Sequence, residues 1–159
     1  MQAGWSIRKA GVEDVDDLIR LRLELLRSTR GVEKLKNEEP MVEATRRYFA
    51  QALPAESFHA WVGVAEGRVV ACSGLLPFGR PPMPDTLASL EAYVLNMYTE
   101  PEWRGRGIAR ALFVELTRFA RELGVGRLLL HATADGRPLY ESMGFKPNPT
   151  SMEWTPSGE

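Results

Sequence analysis

Apolar positions along this chain recur with two different periods, and each change of period marks an element. Trp5-Ser-Ile-Arg-Lys-Ala10 alternates, the period of a half-buried strand. After Gly11 the period lengthens. Val15, Leu18, Ile19, Leu25 and Leu26 share one helical face, Leu21 and Leu23 broaden it, and Glu13 and Asp14 occupy a first turn where the helix dipole favours negative charge. So broad a stripe suits a core helix touching two layers; alternatively, its apolar excess walls a substrate pocket. Residues 31–40 are charged and irregular and read as a solvated loop. A second helix is expected over about residues 41–53, stopped by Pro54. Two β-rich runs, 59–66 and 68–76, flank Glu66-Gly67 as a hairpin, with Cys72 inside the second as a small buried residue. Residues 77–85, rich in proline, read as a surface loop.

The sharpest change of period lies between residues 94 and 110. A β-rich run ends at Glu100-Pro101, Gly105 and Gly107 make a tight loop, and a strongly periodic helix begins. Ile108, Leu112, Leu116, Phe119 and Leu123 line that helix, Phe113 and Ala120 widen the stripe, and Gly124 stops it. A short apolar strand is expected at 127–131, one or two helical turns at 138–143, and a last strand at 151–154. The resulting order is β-α-α-β-β-β-α-β-α-β, a mixed α/β sheet flanked by helices. Its strand–helix–strand unit from Glu91 to His131 should be parallel and right-handed.

Length and composition narrow the picture further. A chain of 159 residues, 44% apolar and 26% charged, is expected to form a single globular domain over residues 1–159. A net charge of −1 gives no general attraction for nucleic acid or membrane, so any anion site must be local. The lone Cys72 excludes an intramolecular disulfide framework and fits a reducing compartment. The first six residues lack the basic and apolar segments of a secretory signal, which makes cytoplasmic the default. Neither His59 nor His131 stands at ligand spacing with another ligand type, so no metal is expected.

Strand, glycine loop and helix together form a phosphate-binding device: glycines turn backbone N–H groups toward an anion, and the helix N-terminus adds partial positive charge. Arg104, Arg106 and Arg110 crowd this turn. The nucleotide loop Gly-x-x-x-x-Gly-Lys-Ser/Thr is missing, and the dinucleotide fingerprint fails because Arg110 stands where a third glycine belongs. Arg104-Gly-Arg-Gly-Ile-Ala109 instead reads as Arg/Gln-x-x-Gly-x-Gly/Ala. That motif, with the preceding strand and Pro138-Leu-Tyr-Glu-Ser-Met-Gly-Phe145, resembles the acyl-CoA loop of the GNAT acetyltransferase superfamily.

The resemblance is sharpest over residues 95–145, and it implies a GNAT-type sheet with a splayed pair of central parallel strands. It also implies acetyl-CoA as co-substrate, its pyrophosphate on the N–H groups of Gly105, Arg106, Gly107, Ile108, Ala109 and Arg110, with Arg104 adding charge. Met97, Tyr98 and Thr99 would pair with the pantetheine arm, one of their N–H groups polarising the thioester carbonyl. Tyr140 takes the position of the general acid beside the departing thiolate. Thr133 stands where many relatives carry asparagine to hold the cofactor arm, and supplies a single hydroxyl. Glu91 is a candidate base, and Asn96 could orient a water. Trp103 reads as a packing residue of the loop. The substrate pocket would come from residues 21–40 and 77–90.

These features imply an N-acetyltransferase that moves an acetyl group to a primary amine of a small molecule or peptide in a ternary complex. The rival is a GNAT-fold module that binds acyl-CoA without turnover, as a sensor or assembly part; nucleotide binding is the weaker third. Thiol release in the presence of amines separates the first two. The amine's identity is left open, as is a homodimer.

Overall fold

The computed structural model describes residues 4–156. Within them the chain forms β1 (Trp5–Lys9), α1 (Val15–Arg30), α2 (Glu38–Ala52), β2 (His59–Ala65), β3 (Arg68–Gly79), β4 (Leu90–Thr99), α3 (Ile108–Leu123), β5 (Leu128–Leu129) and α4 (Arg137–Ser142), with a 3-10 turn ahead of α1 and another after β4. The strands make one sheet in the order β1-β2-β3-β4-β5, antiparallel except for the last pair. It is the helix-flanked mixed sheet that the sequence implies.

Alternation along the strands feeds two cores. From β2, Ala60 and Val62 pack in the layer with α1 and α2, while Trp61 and Ala65 pack in the layer with α3. The first half of the α3 stripe is sealed, since Leu112, Phe113 and Leu116 have no exposed surface and Ile108 has 1%, whereas Leu123 at its end is 40% exposed. Burial of each such side chain contributes about 1.5–3 kcal/mol. Packing of this face, more than intrinsic propensity, therefore decides where the α3 N-terminus sits. Gly63 of β2 is needed for that placement, because a Cβ there would lie 2.8 Å from Ile108 Cγ2.

β4 and β5 pair only at Ala92↔Leu128 and Tyr93↔Leu129. From Val94 to Thr99, β4 has no strand partner on that side among the described residues, so the two parallel strands diverge. On its other side β4 stays paired with β3, with one irregularity between Cys72 and Gly74.

Several expectations are corrected. α2 begins at Glu38 and takes in residues assigned to a loop. Pro40 is tolerated because the first-turn N–H it lacks would have had no intrahelical partner. Glu38 accepts a hydrogen bond from Arg27 Nε (2.8 Å), which ties that first turn to α1. β3 continues through Pro77 to Gly79, its end held by β4 residues down to Leu90. β5 is shorter than its expected five residues, and residues 151–154 form no strand. So short an edge offers little for a final strand to pair with, and Met152 and Trp154 are 94% and 83% exposed.

Cys72 lies wholly within the α1-side core, and burial pushes its thiol up to about 12. Its thiolate fraction at pH 8 is then on the order of 10⁻⁴. A thiol-alkylating reagent should modify the native protein no faster than it unfolds. Stoichiometric modification within minutes, with circular dichroism still native, would contradict this burial.

Candidate active site

The 3-10 turn Pro101–Trp103 follows β4 and is anchored by Trp103, which is 8% exposed and packed in the α3-side core. Beyond it the chain reaches α3 through Gly105 (φ 74°) and Gly107 (φ 87°), both in the left-handed region that favours glycine. No side chain caps α3, and its ladder opens with Ala111 N donating to Gly107 O at 3.0 Å. The N–H groups of Ile108, Ala109 and Arg110 precede that ladder and sit at the positive end of the dipole.

The three arginines differ in placement. Arg104 donates from Nε to Thr99 O (2.9 Å), stands over the Tyr98 ring and borders the cleft. Arg110 also borders it and reaches Ser142 Oγ at 2.9 Å. Arg106 turns away: its guanidinium lies 4.4 Å from the Trp103 ring centroid and donates to Glu102 O, and it does not border the cleft.

That cleft measures about 780 Å³ and runs from this loop along the unpaired end of β4. Met97, Tyr98 and Thr99 form one wall, and Thr133, Gly136 and Tyr140 another. The Thr133 hydroxyl accepts the Gly136 N–H at 3.1 Å and so also braces the turn into α4. Leu25, Ser28 and Thr29 of α1 close a third side. Ser28 and Thr29 fall within the segment 21–40 expected to wall a pocket, although neither was named; the breadth of the α1 stripe was the available signal.

Tyr140 is 9% exposed, its ring packed against Phe113 and Phe145. Burial raises its pKa, and no neighbouring charge or hydrogen bond contributes, so the phenol stays protonated through neutral pH. Tyr140 also borders a second cleft of about 280 Å³, lined among others by Tyr93, His131 and Lys146. One tyrosine is thus common to both openings.

Glu91 and Asn96 are not where the expected roles require them, because neither borders either cleft. Glu91 is buried and accepts from Arg80 Nη1 (3.0 Å) and Arg127 Nη2 (3.1 Å). Burial alone would raise its pKa, but hydrogen bonds from Arg127 and Arg80 outweigh it and hold the carboxyl below its usual range. A carboxylate so engaged is a poor base. Asn96 is 5% exposed, and its Oδ1 accepts a hydrogen bond from Arg22 Nη1. The segment 77–90 contributes to neither cleft. His59 is buried against Phe119, whereas His131 is exposed and stacks on Tyr93. Among the described residues, no group of three or more His, Cys, Asp or Glu is placed to hold a metal ion, and no helix is long and apolar enough to cross a membrane.

A helix start with uncommitted N–H groups, a strand edge without its parallel neighbour and a buried phenol thus meet at one cleft. Residues 21–145 match the acetyltransferase (GNAT) family. The chain belongs to that family. A GCN5-related N-acetyltransferase from Ralstonia eutropha superposes with a TM-score of 0.86 at 30% identity, covering 98% of this chain and 100% of that one. A predicted acetyltransferase from Clostridium acetobutylicum, solved with acetyl-CoA, gives 0.86 at 27% identity, covering 95% and 96%. Human N-acetyltransferase 8 is 34% identical over 89 residues, 54% of this chain but 37% of its own length. The chain thus spans well under half of that curated relative.

Two expectations follow for GNAT residues of this chain. Gly107→Val should remove acetyl-CoA binding while the fold survives. A Cβ there meets only Trp5 Cζ2 at 3.9 Å, but a β-branched residue at this φ is strained by about 1–3 kcal/mol and reshapes the loop. Calorimetry showing unchanged affinity would remove the loop from the site. Glu91→Gln should leave turnover intact and cost about 1–3 kcal/mol of stability at pH 7. The lowered folded pKa means this contribution is full above the ordinary carboxylate range near ~4.3 and disappears as pH falls through the folded value. Denaturant titrations of both proteins should therefore converge on acidification; a stability gap independent of pH would contradict the ion-pair account.

Proposed function

We propose that this GNAT protein transfers an acetyl group from acetyl-CoA to a primary amine of a small molecule or peptide, by direct attack in a ternary complex. The observation that carries this reading is the convergence of the two clefts on Tyr140. The larger one has the loop and the strand edge a coenzyme A thioester needs; the smaller one supplies a separate approach for the amine. At about 280 Å³ it lies below the usual range for drug-sized ligands, which favours a small amine or the end of a peptide.

The N–H groups of Ile108 to Arg110, with Arg104 and Arg110, hold the pyrophosphate. Met97, Tyr98 and Thr99 offer main-chain groups to the pantetheine arm as an added strand would. The amine nitrogen attacks the thioester carbon, the C–S bond breaks, and Tyr140 donates a hydrogen bond to the departing thiolate. A phenol pushed above ~10 and a thiol near ~8.5 make full proton transfer uphill, so donation without complete transfer describes the step. The substrate ammonium gives its proton to water before its nitrogen attacks, and the released thiolate takes up a proton from solvent. Direct attack is favoured because the chain's thiol, on Cys72, is sealed in the other core layer and protonated at neutral pH.

Thiol release measured across amines, amino acids, aminoglycosides and peptides tests the reading; binding of acetyl-CoA with no release for any amine would favour a non-catalytic module instead. Added salt should weaken acetyl-CoA binding, since the pyrophosphate contacts are charged. Tyr140→Phe should lower kcat and kcat/KM together by about 10²–10⁴ while cofactor affinity holds. Full kcat in that variant would remove Tyr140 from the mechanism.

A further inference from the structure

The geometry points to Arg22, Asn96 and Cys72 as positioning residues that aim the Met97 N–H at the acyl carbonyl; this rests on the acetyltransferase reading above. The pairing of β3 with β4 is irregular at one point. Cys72 pairs with Tyr98 and Gly74 with Leu95, so two steps along β3 match three along β4. The extra residue makes a β-bulge, and Asn96 at its centre has φ 57°. A left-handed first residue is the glycine position of one common bulge type, and asparagine is among the few other residues that adopt it.

Asn96 is then held from two elements. Its side-chain carbonyl accepts from Arg22 Nη1 of α1, and its main-chain carbonyl accepts the Cys72 S–H of β3 at 3.0 Å. Arg22 sits half-buried in the α1 stripe beside Leu21, which has no exposed surface, and no carboxylate lies within ion-pair distance of it among the described residues. A guanidinium taken out of water for one neutral amide is an expensive contact, and packing alone would be better served by leucine or methionine.

What the contact secures is the orientation of one peptide plane. The Asn96 carbonyl and the Met97 N–H belong to the same trans peptide and point in opposite directions. With the carbonyl directed at Cys72, the Met97 N–H is directed away from it. Met97 borders the large cleft, which Cys72 and Asn96 do not, and it has no residue opposite it in β3 or β5. Of the three candidate amides on this strand, Met97 is thereby the one turned out of the ladder and fixed by its neighbours. A donor held in place before the reaction stabilises the developing oxyanion without reorganisation, and losing one such donor typically costs ~10²–10³ in kcat.

The test uses variants that separate backbone from side chain. Asn96→Gly keeps the left-handed backbone but removes the acceptor for Arg22, Arg22→Met removes the donor, and Asn96→Asp keeps the acceptor. Asn96→Gly and Arg22→Met should each lower kcat at least tenfold with the KM for acetyl-CoA little changed, the double variant should be no worse than either, and Asn96→Asp should retain near-native kcat. Independently of turnover, the Met97 amide resonance in ¹⁵N-methionine-labelled protein should move more with acetyl-CoA than with coenzyme A. That difference should collapse in Asn96→Gly and Arg22→Met and persist in Asn96→Asp. Native kcat together with an undiminished acetyl-specific shift in Asn96→Gly overturns the positioning role, and should Arg22→Met not fold, the two Asn96 variants decide alone. A wild type whose Met97 amide responds to neither ligand overturns the cofactor placement itself, and this role with it.

Discussion

Everything around the site depends on where the hydrogen-bonded neighbour of β4 is lost. Buried backbone groups demand partners, and a central strand without one on half its length is an unusual thing for a sheet to contain. Here the parallel pairing ends at Tyr93 and the strand runs on to Thr99. The start of α3, the turn into α4 and the end of α1 gather round that gap and leave a cleft. The same stretch of β4 is where an extended partner would find main-chain groups to bond.

Charge is distributed to suit. The chain as a whole is nearly neutral, yet its arginines are placed to different ends. Arg20 and Arg68 grip Glu100, Arg80 and Arg127 grip Glu91, and Arg8 grips Asp14; these join elements to one another. Arg104 and Arg110, which border the cleft, instead engage neutral oxygen or sulfur atoms and have no carboxylate partner among the described residues. Arg106, next in sequence to both glycines of the loop, stands over the Trp103 ring and belongs to the packing.

Much of this was legible from the residues alone, and the remainder has physical reasons for being hidden. The period of α3 and its glycine loop could be read directly because both are local: a stripe of apolar residues and two left-handed positions need no tertiary information. Tyr140 and Thr133 came through the family motif and do border the cleft. Glu91 misled because a carboxylate at a strand start reads the same whether it faces a substrate or two arginines, one from the β3–β4 connection and one from beyond α3. Pro77 misled because proline is a loop signal until a long neighbouring strand holds it in register. The bulge at Asn96 was invisible because register is a property of two strands, and Arg22 reads as an ordinary surface arginine until its one partner is known. The last strand failed for want of an edge, since the two-residue β5 gives residues 151–154 little to join.

The two clamped carboxylates have a mechanical meaning beyond their charges. Glu91 is the second residue of β4 and Glu100 follows its last, so the strand is tethered at both ends to different parts of the molecule. A segment pinned at both ends cannot discharge its extra residue by sliding; the slack at Asn96 is trapped between the pins. The gap beside β4 then behaves as a standing aperture in a taut frame, present before any ligand arrives, and no binding energy is consumed in prying strands apart.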